Sequence, residues 1–176
     1  QADAPVFASI DVAGVPNVAP TADSRHIAIE RRWYRPDGTR WTPGPLREGE
    51  LLVAALSVEA AESLPDALVV DLLPAGLEVE NLNLADRKQW EGVTIDGVTL
   101  SERGSAADLQ HEEFRDDRYV AAINLEGGAK ARLFYLVRAV TPGTYTVPPP
   151  QVEDMYRPSL RGVGRAVPGD VTVVPP

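Results

Sequence analysis

Residues 118–140 read RYVAAINLEGGAKARLFYLVRAV, and this stretch decides the fold. Two apolar runs rich in aromatic and β-branched residues flank Gly127 and Gly128, which is typical of a β-hairpin. In the second run Leu133, Tyr135 and Val137 occupy alternate positions, the period of a strand. The pattern predicts two antiparallel strands, over 118–125 and 130–140, joined by a tight turn.

Short apolar stretches of the same kind lie on both sides of this pair. The chain has 16 Pro and 14 Gly among 176 residues, and many of them separate these stretches, which indicates frequent turns between strands. Residues 50–62 are ambiguous, because their Ala, Leu and Glu favour helix while Val53 and Val58 favour strand. A strand is expected over their first two thirds. The other predicted strands cover residues 6–12, 26–34, 64–79 with a break at Pro74, 144–147 and 171–174.

Polarity rises after Asn81, and residues 85–117 carry only scattered apolar side chains. We interpret these residues as an insertion whose hydrophobic side chains pack loosely. Ser105 followed by Asp108 resembles a capping box, which predicts a short helix with Leu109 and Phe114 on one side. No repeat or linker divides the chain. The expected fold is therefore one all-β, antiparallel β-sandwich with a short helical insertion.

The charge balance restricts the possible partners. Lys and Arg number 17 against 26 Asp and Glu, a net charge of −9, which repels phosphate backbones and anionic membrane surfaces. We expect no nucleic acid partner and no membrane insertion, since no apolar run is long enough to cross a bilayer. The absence of Cys excludes disulfides, thiolate metal sites and a Cys nucleophile. Residue 1 is not Met and no signal peptide follows it, so a segment of a longer chain is expected.

Motifs for catalysis are missing from the sequence. His26 and His111 are its two imidazoles, and neither belongs to a Gly-x-Ser-x-Gly or His-Glu-x-x-His motif. His111, Glu112 and Glu113 are adjacent rather than four residues apart, so a charged surface is favoured over a metal site. The acidic residues continue to Asp117 and alternate with arginines. The sequence therefore predicts a protein that is not an enzyme, with no catalytic residue, no metal and no cofactor.

Two stretches have the composition of contact surfaces. Residues 31–35 (RRWYR) combine cations with aromatic rings, which suits a ligand, an acidic partner or simple cover for the open face of a sheet. The only Met, Met155, stands beside Tyr156 and before Arg157 in an extended passage. A flexible thioether next to an aromatic ring suits an adaptable contact, but it equally suits a gap in the domain's own core. Composition leaves the alternatives open for both stretches.

Three segments in fixed order resemble one known family. They are ALVVDLLPAGLEVEN (67–81), FRDDRYVAAINL (114–125) and FYLVRAVTPGTYTVPPPQVEDMYRPSLRGVG (134–164). They look like the C-terminal macroglobulin domain, MG10, of bacterial alpha-2-macroglobulins. The resemblance implies a macroglobulin β-sandwich, comparable to the receptor-binding domain of the eukaryotic proteins, over residues 25–176. Residues 1–24 are then a lead-in segment, with a strand that packs on or joins the domain, and the insertion covers about 85–117.

The resemblance also implies a function. Members of this family are periplasmic protease traps, tethered to the inner membrane through the N-terminus of the full chain, in which cleavage of a bait region triggers collapse around the protease. In members with a thioester, this domain docks on a separate helical domain and shields the bond from water. Met155 and Tyr156 match the shielding position, and Arg157 adjoins them. In members without the bond, the same loop is an interdomain contact only.

The partners implied by the resemblance are other domains of the parent chain, target proteases and periplasmic companion proteins. A freestanding adhesion or ligand-binding sandwich is the alternative function. The two differ in the parent gene: thioester and bait-region sequence beside this segment would establish the first, and an independent reading frame with a signal peptide would support the second.

Overall fold

The structure is a computed structural model that describes residues 9–13, 18–42, 44–80, 90–166 and 169–176. These residues are mostly β-strand, with a 3-10 helix at Leu100–Ser105. The strands in chain order are β1 (Ile27–Tyr34), β2 (Leu46–Arg47), β3 (Leu51–Ala60), β4 (Leu64–Leu72), β5 (Leu77–Glu80), β6 (Thr94–Ile95), β7 (Val98–Thr99), β8 (Asp108–Arg115), β9 (Arg118–Leu125), β10 (Lys130–Ala139), β11 (Gly143–Tyr145), β12 (Gln151–Asp154), β13 (Arg161–Val163) and β14 (Val171–Val174).

Two large sheets stack face to face. The four-stranded sheet has the order β1-β3-β10-β5, the five-stranded sheet has the order β13-β12-β4-β9-β8, and all pairs within them are antiparallel. β1 lies over β12 and β13, whereas β5 lies over β8 and β9. A smaller sheet, β11-β14-β2, includes a parallel pair between β14 and β2. The all-β sandwich expected from the sequence is confirmed.

The core between the large sheets follows from strand alternation. Along β9 every second side chain is buried, and Tyr119 stacks on Tyr135 of β10 from the opposite sheet, with ring centroids 4.5 Å apart. Strands expected over 26–34, 118–125, 130–140 and 171–174 are confirmed, with bounds shifted by no more than a residue. Because stacked aromatic rings bury large apolar areas, this pair joins the two layers at their centre.

The turn at Gly127 and Gly128 does not close a hairpin, and that prediction is wrong. β9 and β10 belong to different sheets, so the turn carries the chain from one layer to the other. Gly128 donates its N–H to the Ala60 carbonyl, and a Cβ on Gly127 would lie 2.8 Å from the Ala61 carbonyl. Both strands bury apolar side chains in the shared core, which favours stacking them over pairing them.

The break predicted within 64–79 is confirmed, and it marks a second passage between layers. β4 pairs in the five-stranded sheet and β5 in the four-stranded sheet, with Pro74 and Gly76 between them. The ring of Tyr145 lies where a Cβ on Gly76 would stand, at 2.2 Å. Only glycine therefore allows the Tyr145 ring to close this corner.

One end of the four-stranded sheet is apolar on both faces, which explains the ambiguity of residues 50–62. Within β3, Leu52 and Leu56 face the sandwich core, whereas Val53 and Ala55 face a second hydrophobic cluster outside the sandwich. A strand buried on both sides reads as a continuous apolar run rather than an alternation. The strand expected over the first two thirds of this stretch is confirmed as β3.

The second cluster corrects the expectation that residues 85–117 pack loosely. Trp90, Ile95 and Leu100 are at most 2% exposed and cover the outer face of the four-stranded sheet near Phe134. Residues 81–89 lie outside the described residues. Val93, Val98 and Ala106 pack against the second cluster and are partly buried. The described part of the segment is therefore held to the sheet by a few large apolar side chains.

The helix expected from Ser105 onwards is also misplaced. The 3-10 helix ends at Ser105, and Asp108–Arg115 forms β8, the edge strand of the five-stranded sheet. Phe114 turns inward against Tyr119, with ring centroids 5.6 Å apart. Main-chain pairing with β9 supplies hydrogen bonds to the whole segment, and this tertiary contact outweighs a local capping signal.

A buried polar cluster ties the two large sheets together. Arg31 of β1 donates to Asp71 of β4 at 2.5 Å and to the Pro148 carbonyl at 2.7 Å, and the Tyr135 hydroxyl donates to Asp71 at 2.6 Å. Burial raises the pKa of Asp71, and the guanidinium of Arg31 opposes that rise. The carboxylate of Asp71 is bound by two strands of the facing sheet, by Arg31 of β1 and by Tyr135 of β10. The cluster therefore fixes how the two layers align.

Residues 9–13 and 18–22 are exposed and contain no strand. The strand expected over 6–12 is therefore absent from residues 9–12, and residues 6–8 lie outside the described part of the chain. Asp23 forms an antiparallel bridge to Val163, the first main-chain pairing along the described residues. The domain boundary between residues 24 and 25 stays a prediction. Among the described residues, no helix has the length and hydrophobicity to span a membrane.

Candidate functional site

Met155, Tyr156 and Arg157 lie together in the turn between β12 and β13, which we call the contact loop (residues 155–160). Asp154 ends β12, and its side chain is only 2% exposed. Its Oδ1 accepts hydrogen bonds from the main-chain N–H groups of Tyr156, at 3.0 Å, and of Arg157, at 2.8 Å. An aspartate that bonds the next N–H groups along the chain is a turn-forming device. Asp154 therefore fixes the backbone of the loop.

The guanidinium of Arg157 turns back onto the domain. Its Nε and Nη2 atoms donate to Asp154 Oδ2 at 3.1 and 2.7 Å, and Nη2 also donates to the Ser63 carbonyl at 3.2 Å. Glu62 lies 3.6 Å from Nη1. Of the three predicted contact residues, Arg157 is thus the one whose side chain is bound to its own domain, although it is 45% exposed.

Electrostatics reinforce this arrangement. The hydrogen bonds from the Arg157 side chain, together with those from the Tyr156 and Arg157 main chain, lower the pKa of Asp154. The same side-chain contact raises the pKa of Arg157. Asp154 is therefore ionised at neutral pH, and its charge is held where it organises the loop.

Met155 and Tyr156 are left facing solvent. Met155 is 44% exposed and Tyr156 is 80% exposed, although the Met155 N–H is anchored on the Asp66 carbonyl at 3.0 Å. Met155 therefore does not fill a gap in the core of this domain, which was one of the two alternatives that its composition left open. A thioether and an aromatic ring presented on a fixed backbone form a preorganised contact.

The contact loop adjoins an apolar sheet face. On the outer side of the five-stranded sheet, the central strands β4 and β9 present half-buried hydrophobic side chains where an open antiparallel sheet usually carries polar ones. β4 runs directly beneath the loop, because Asp154 pairs with Ala67 and Met155 with Asp66. The hydrophobic side chains of this outer face are Leu68, Val70, Leu72, Val120 and Ala122, and the polar residues Asp66, Arg118 and Asn124 lie at the ends of the two strands.

The other residues considered from the sequence do not converge on a site. His111, Glu112 and Glu113 lie on β8, where successive side chains point to opposite faces of the sheet. Glu112 accepts from the Tyr119 hydroxyl at 2.7 Å, and Glu113 pairs with Arg115. Within the described ranges, no three His, Cys, Asp or Glu side chains are grouped as metal ligands would be.

The cationic and aromatic stripe at 31–35 is divided between the two faces of β1. Arg31 and Trp33 point inward, and Arg32 pairs with Glu30 outside. Asp154 was not singled out from the sequence at all. Its signal was available, since aspartate before a sharp turn ending in Pro158 is typical of side-chain to main-chain capping.

Comparison with known proteins identifies the family. The model of the bacterial alpha-2-macroglobulin MG10 domain matches residues 27–159, most of the chain. The chain belongs to this family. As an MG10 domain it is 60% identical over its whole length to an alpha-2-macroglobulin of Xylella fastidiosa, and 44% identical over 99% of its length to that of Escherichia coli. It spans about a tenth of those relatives, 11% and 10% of their lengths.

Solved structures agree with this assignment. An Escherichia coli alpha-2-macroglobulin fragment in the native state, from domain MG7 to the C-terminus, aligns with 92% of the MG10 domain at a TM-score of 0.82 and 43% identity. A Salmonella alpha-2-macroglobulin reacted with methylamine aligns with 92% of it at a TM-score of 0.80 and 46% identity. The alignments cover 25% and 10% of those chains. The expected macroglobulin fold is thereby confirmed.

Proposed function

We propose that this MG10 domain is a non-catalytic docking module of a periplasmic, bacterial alpha-2-macroglobulin-type protease trap. Its contact loop packs on the domain that carries a thioester and keeps water from that bond. The observation that carries the proposal is the pair Met155 and Tyr156, solvent-exposed on a backbone that the buried Asp154 holds in place.

Several features support this assignment. A thioester persists in water only where water is excluded, and Met155 offers an adaptable apolar surface without a nucleophile. The apolar outer face of the five-stranded sheet extends the surface available for docking beside the loop. A Salmonella relative was crystallised after reaction with methylamine, a small amine. His26 and His111 are exposed at opposite edges of the sandwich, which supports a binding role over a catalytic one.

The test uses the full parent chain. In Met155→Ala and Tyr156→Ala variants, we expect faster spontaneous loss of thioester reactivity, measured as a decline in methylamine incorporation during incubation in buffer. Because both side chains are outside the core, the circular dichroism spectrum and the melting temperature should stay close to those of the parent.

A matched control is Leu109→Ala on β8. Leu109 is 40% exposed, close to the 44% of Met155, and lies outside the contact loop. Its variant should retain amine reactivity for as long as the unmodified chain. If the Met155 and Tyr156 variants behave like the Leu109 variant, the shielding role is refuted.

A further inference from the structure

A groove of about 690 Å³ lies along β1 and extends over the exposed face of the four-stranded sheet, where Ser57 and Glu59 of β3 and Lys130 of β10 also line it. β1 forms one wall and part of the floor. Arg40 and Trp41 line one end, and residues 163–166 line the other. We call this feature the β1 groove. It is separate from the contact loop, none of whose residues line it.

The main chain of β1 is open in the middle of this groove. Trp33 accepts a hydrogen bond from the Trp41 N–H, so Trp33 and the alternate residues Arg31 and Ile29 turn their main-chain groups away from β3. Gly164 packs against the Ile29 carbonyl, because a Cβ on Gly164 would lie 2.9 Å from that oxygen. Trp41 and Gly164 thus cover the main chain at Trp33 and Ile29, and between them no described residue bonds the N–H or C=O of Arg31.

The exposure of Arg31 confirms that its backbone faces the groove. The residue as a whole is 8% exposed, whereas its side chain is only 1% exposed. The accessible part is therefore main chain. An extended peptide could form one step of β-pairing here, because unpaired strand edges accept an added strand.

The groove is also rich in donors. Arg40 and Arg165 are exposed on its rim, and neither side chain forms an ion pair or hydrogen bond with any described residue. Two carboxylates also line the groove, and both are paired: Glu30 lies 2.8 Å from Arg32, and Glu59 lies 3.2 Å from Lys130. The cations without a described partner, Arg40 and Arg165, therefore favour a ligand that carries carboxylates.

We propose that the β1 groove binds an extended acidic peptide segment from another domain of the parent chain. The segment pairs its main chain with Arg31 and places carboxylates against Arg40 and Arg165. The relatives are about ten times longer than this chain, so most of the parent lies outside it. Ala22 and Ser24 line the groove, so the chain passes along its rim, and a tethered segment would meet it at high effective concentration.

The experiment places the photoreactive residue p-benzoylphenylalanine at Ala28 in the full parent chain. Ala28 is exposed and lines the groove. After irradiation, mass spectrometry should identify a cross-link to one acidic segment of the same chain. The same probe at Ala75, exposed in the turn between β4 and β5, should not capture that segment.

Charge variants decide the mechanism. Combining Arg40→Gln with Arg165→Gln should lower the cross-link yield roughly fivefold at moderate salt, as expected for two exposed ion pairs. The double variant Arg47→Gln and Arg115→Gln removes the same charge elsewhere on the surface and should leave the yield unchanged. The proposal is overturned by a cross-link to a neutral or basic segment, by one to a separate polypeptide, by none, or by equal yields in the two double variants.

This outcome is independent of the proposed function. The cross-link requires no thioester, and Met155→Ala should leave it intact. If the groove experiment fails while Met155→Ala still speeds the loss of amine reactivity, only the proposal about the groove is refuted. If the cross-link forms as expected but Met155→Ala leaves amine reactivity unchanged, only the shielding role is refuted.

Discussion

Replacing Asp154 tests whether one buried carboxylate holds the contact loop. Asp154→Ala removes the acceptor of two main-chain N–H groups and the partner of the Arg157 guanidinium. Hydrogen bonds to a buried charge contribute about 1.5–3 kcal/mol each, but Arg157 is 45% exposed and water screens its share. We therefore assign about 1 kcal/mol to each of the two main-chain bonds and expect the exposed ion pair to add little.

The expected loss of roughly 2 kcal/mol lowers the melting temperature by about 4–8 °C for a domain of this size. Asp154→Asn keeps an oxygen for the main-chain N–H groups and loses the charge, so its melting temperature should fall by less than that of Asp154→Ala. Glu153→Ala is the control, because Glu153 is exposed on the same strand. Thermal unfolding followed by circular dichroism measures all three.

Acidification gives a second readout with a defined sign. The folded state lowers the pKa of Asp154, so its contribution is present above the ordinary pKa of 3.8 and is lost as the pH falls through the lowered value. The gap in melting temperature between the unmodified chain and Asp154→Asn should narrow as the pH falls below 3.8, and it should close once the pH lies below the lowered pKa of Asp154. Equal melting temperatures for the Ala and Asn variants at pH 7, or a gap that persists in acid, would refute the reasoning.

Three further predictions concern the framework of the sandwich. Asp71→Asn leaves the buried Arg31 without its charge partner and should lower the free energy of unfolding in urea by about 3–5 kcal/mol. Arg31→Met combined with Asp71→Leu should recover most of that loss. A small loss in the Asp71→Asn variant would contradict the pairing. Gly162→Ala places a Cβ 2.1 Å from the Ile27 carbonyl of β1 and should lower the free energy of unfolding by about 2 kcal/mol or more. Gly104→Ala, which has open space around it, should be nearly neutral. Equal effects of the two variants would argue against close packing at β13. Trp90→Ala should destabilise by about 3–5 kcal/mol and expose the outer face of the four-stranded sheet to the dye ANS; unchanged dye binding would show that the segment is not needed as cover.

The sequence allowed the strands to be located but not paired. Residues 118–125 and 130–140 have the alternation of strands, yet nothing local shows that their glycine turn crosses between layers. Which strands pair depends on which sheet each strand joins. β9 and β10 bury their apolar faces against the same core from opposite sides, so they stack instead of pairing. The same limit applies to Ser105, whose capping signal is real in isolation but lies next to a strand edge that offers more hydrogen bonds.

The candidate site was foreseen only in part. A resemblance to macroglobulins pointed to Met155 and Tyr156, and their exposure fits that expectation. Arg157 was grouped with them, and its side chain is also exposed, but its bond to Asp154 ties it to the base of the loop. The β1 groove could not be foreseen, because it depends on where residues 163–166 cross a strand more than a hundred residues earlier.

The parallel pairing of β14 with β2 has a consequence for synthesis on the ribosome. Val173 and Val174 complete a sheet begun at Leu46 and Arg47, so β2 must wait for a strand that is made more than a hundred residues later. Such distant pairings slow folding, since a long loop closes before its contacts form. Until β14 emerges from the ribosome, the edge of β2 has no partner strand. We expect chaperone protection during that interval to matter more than for a domain assembled from neighbouring hairpins.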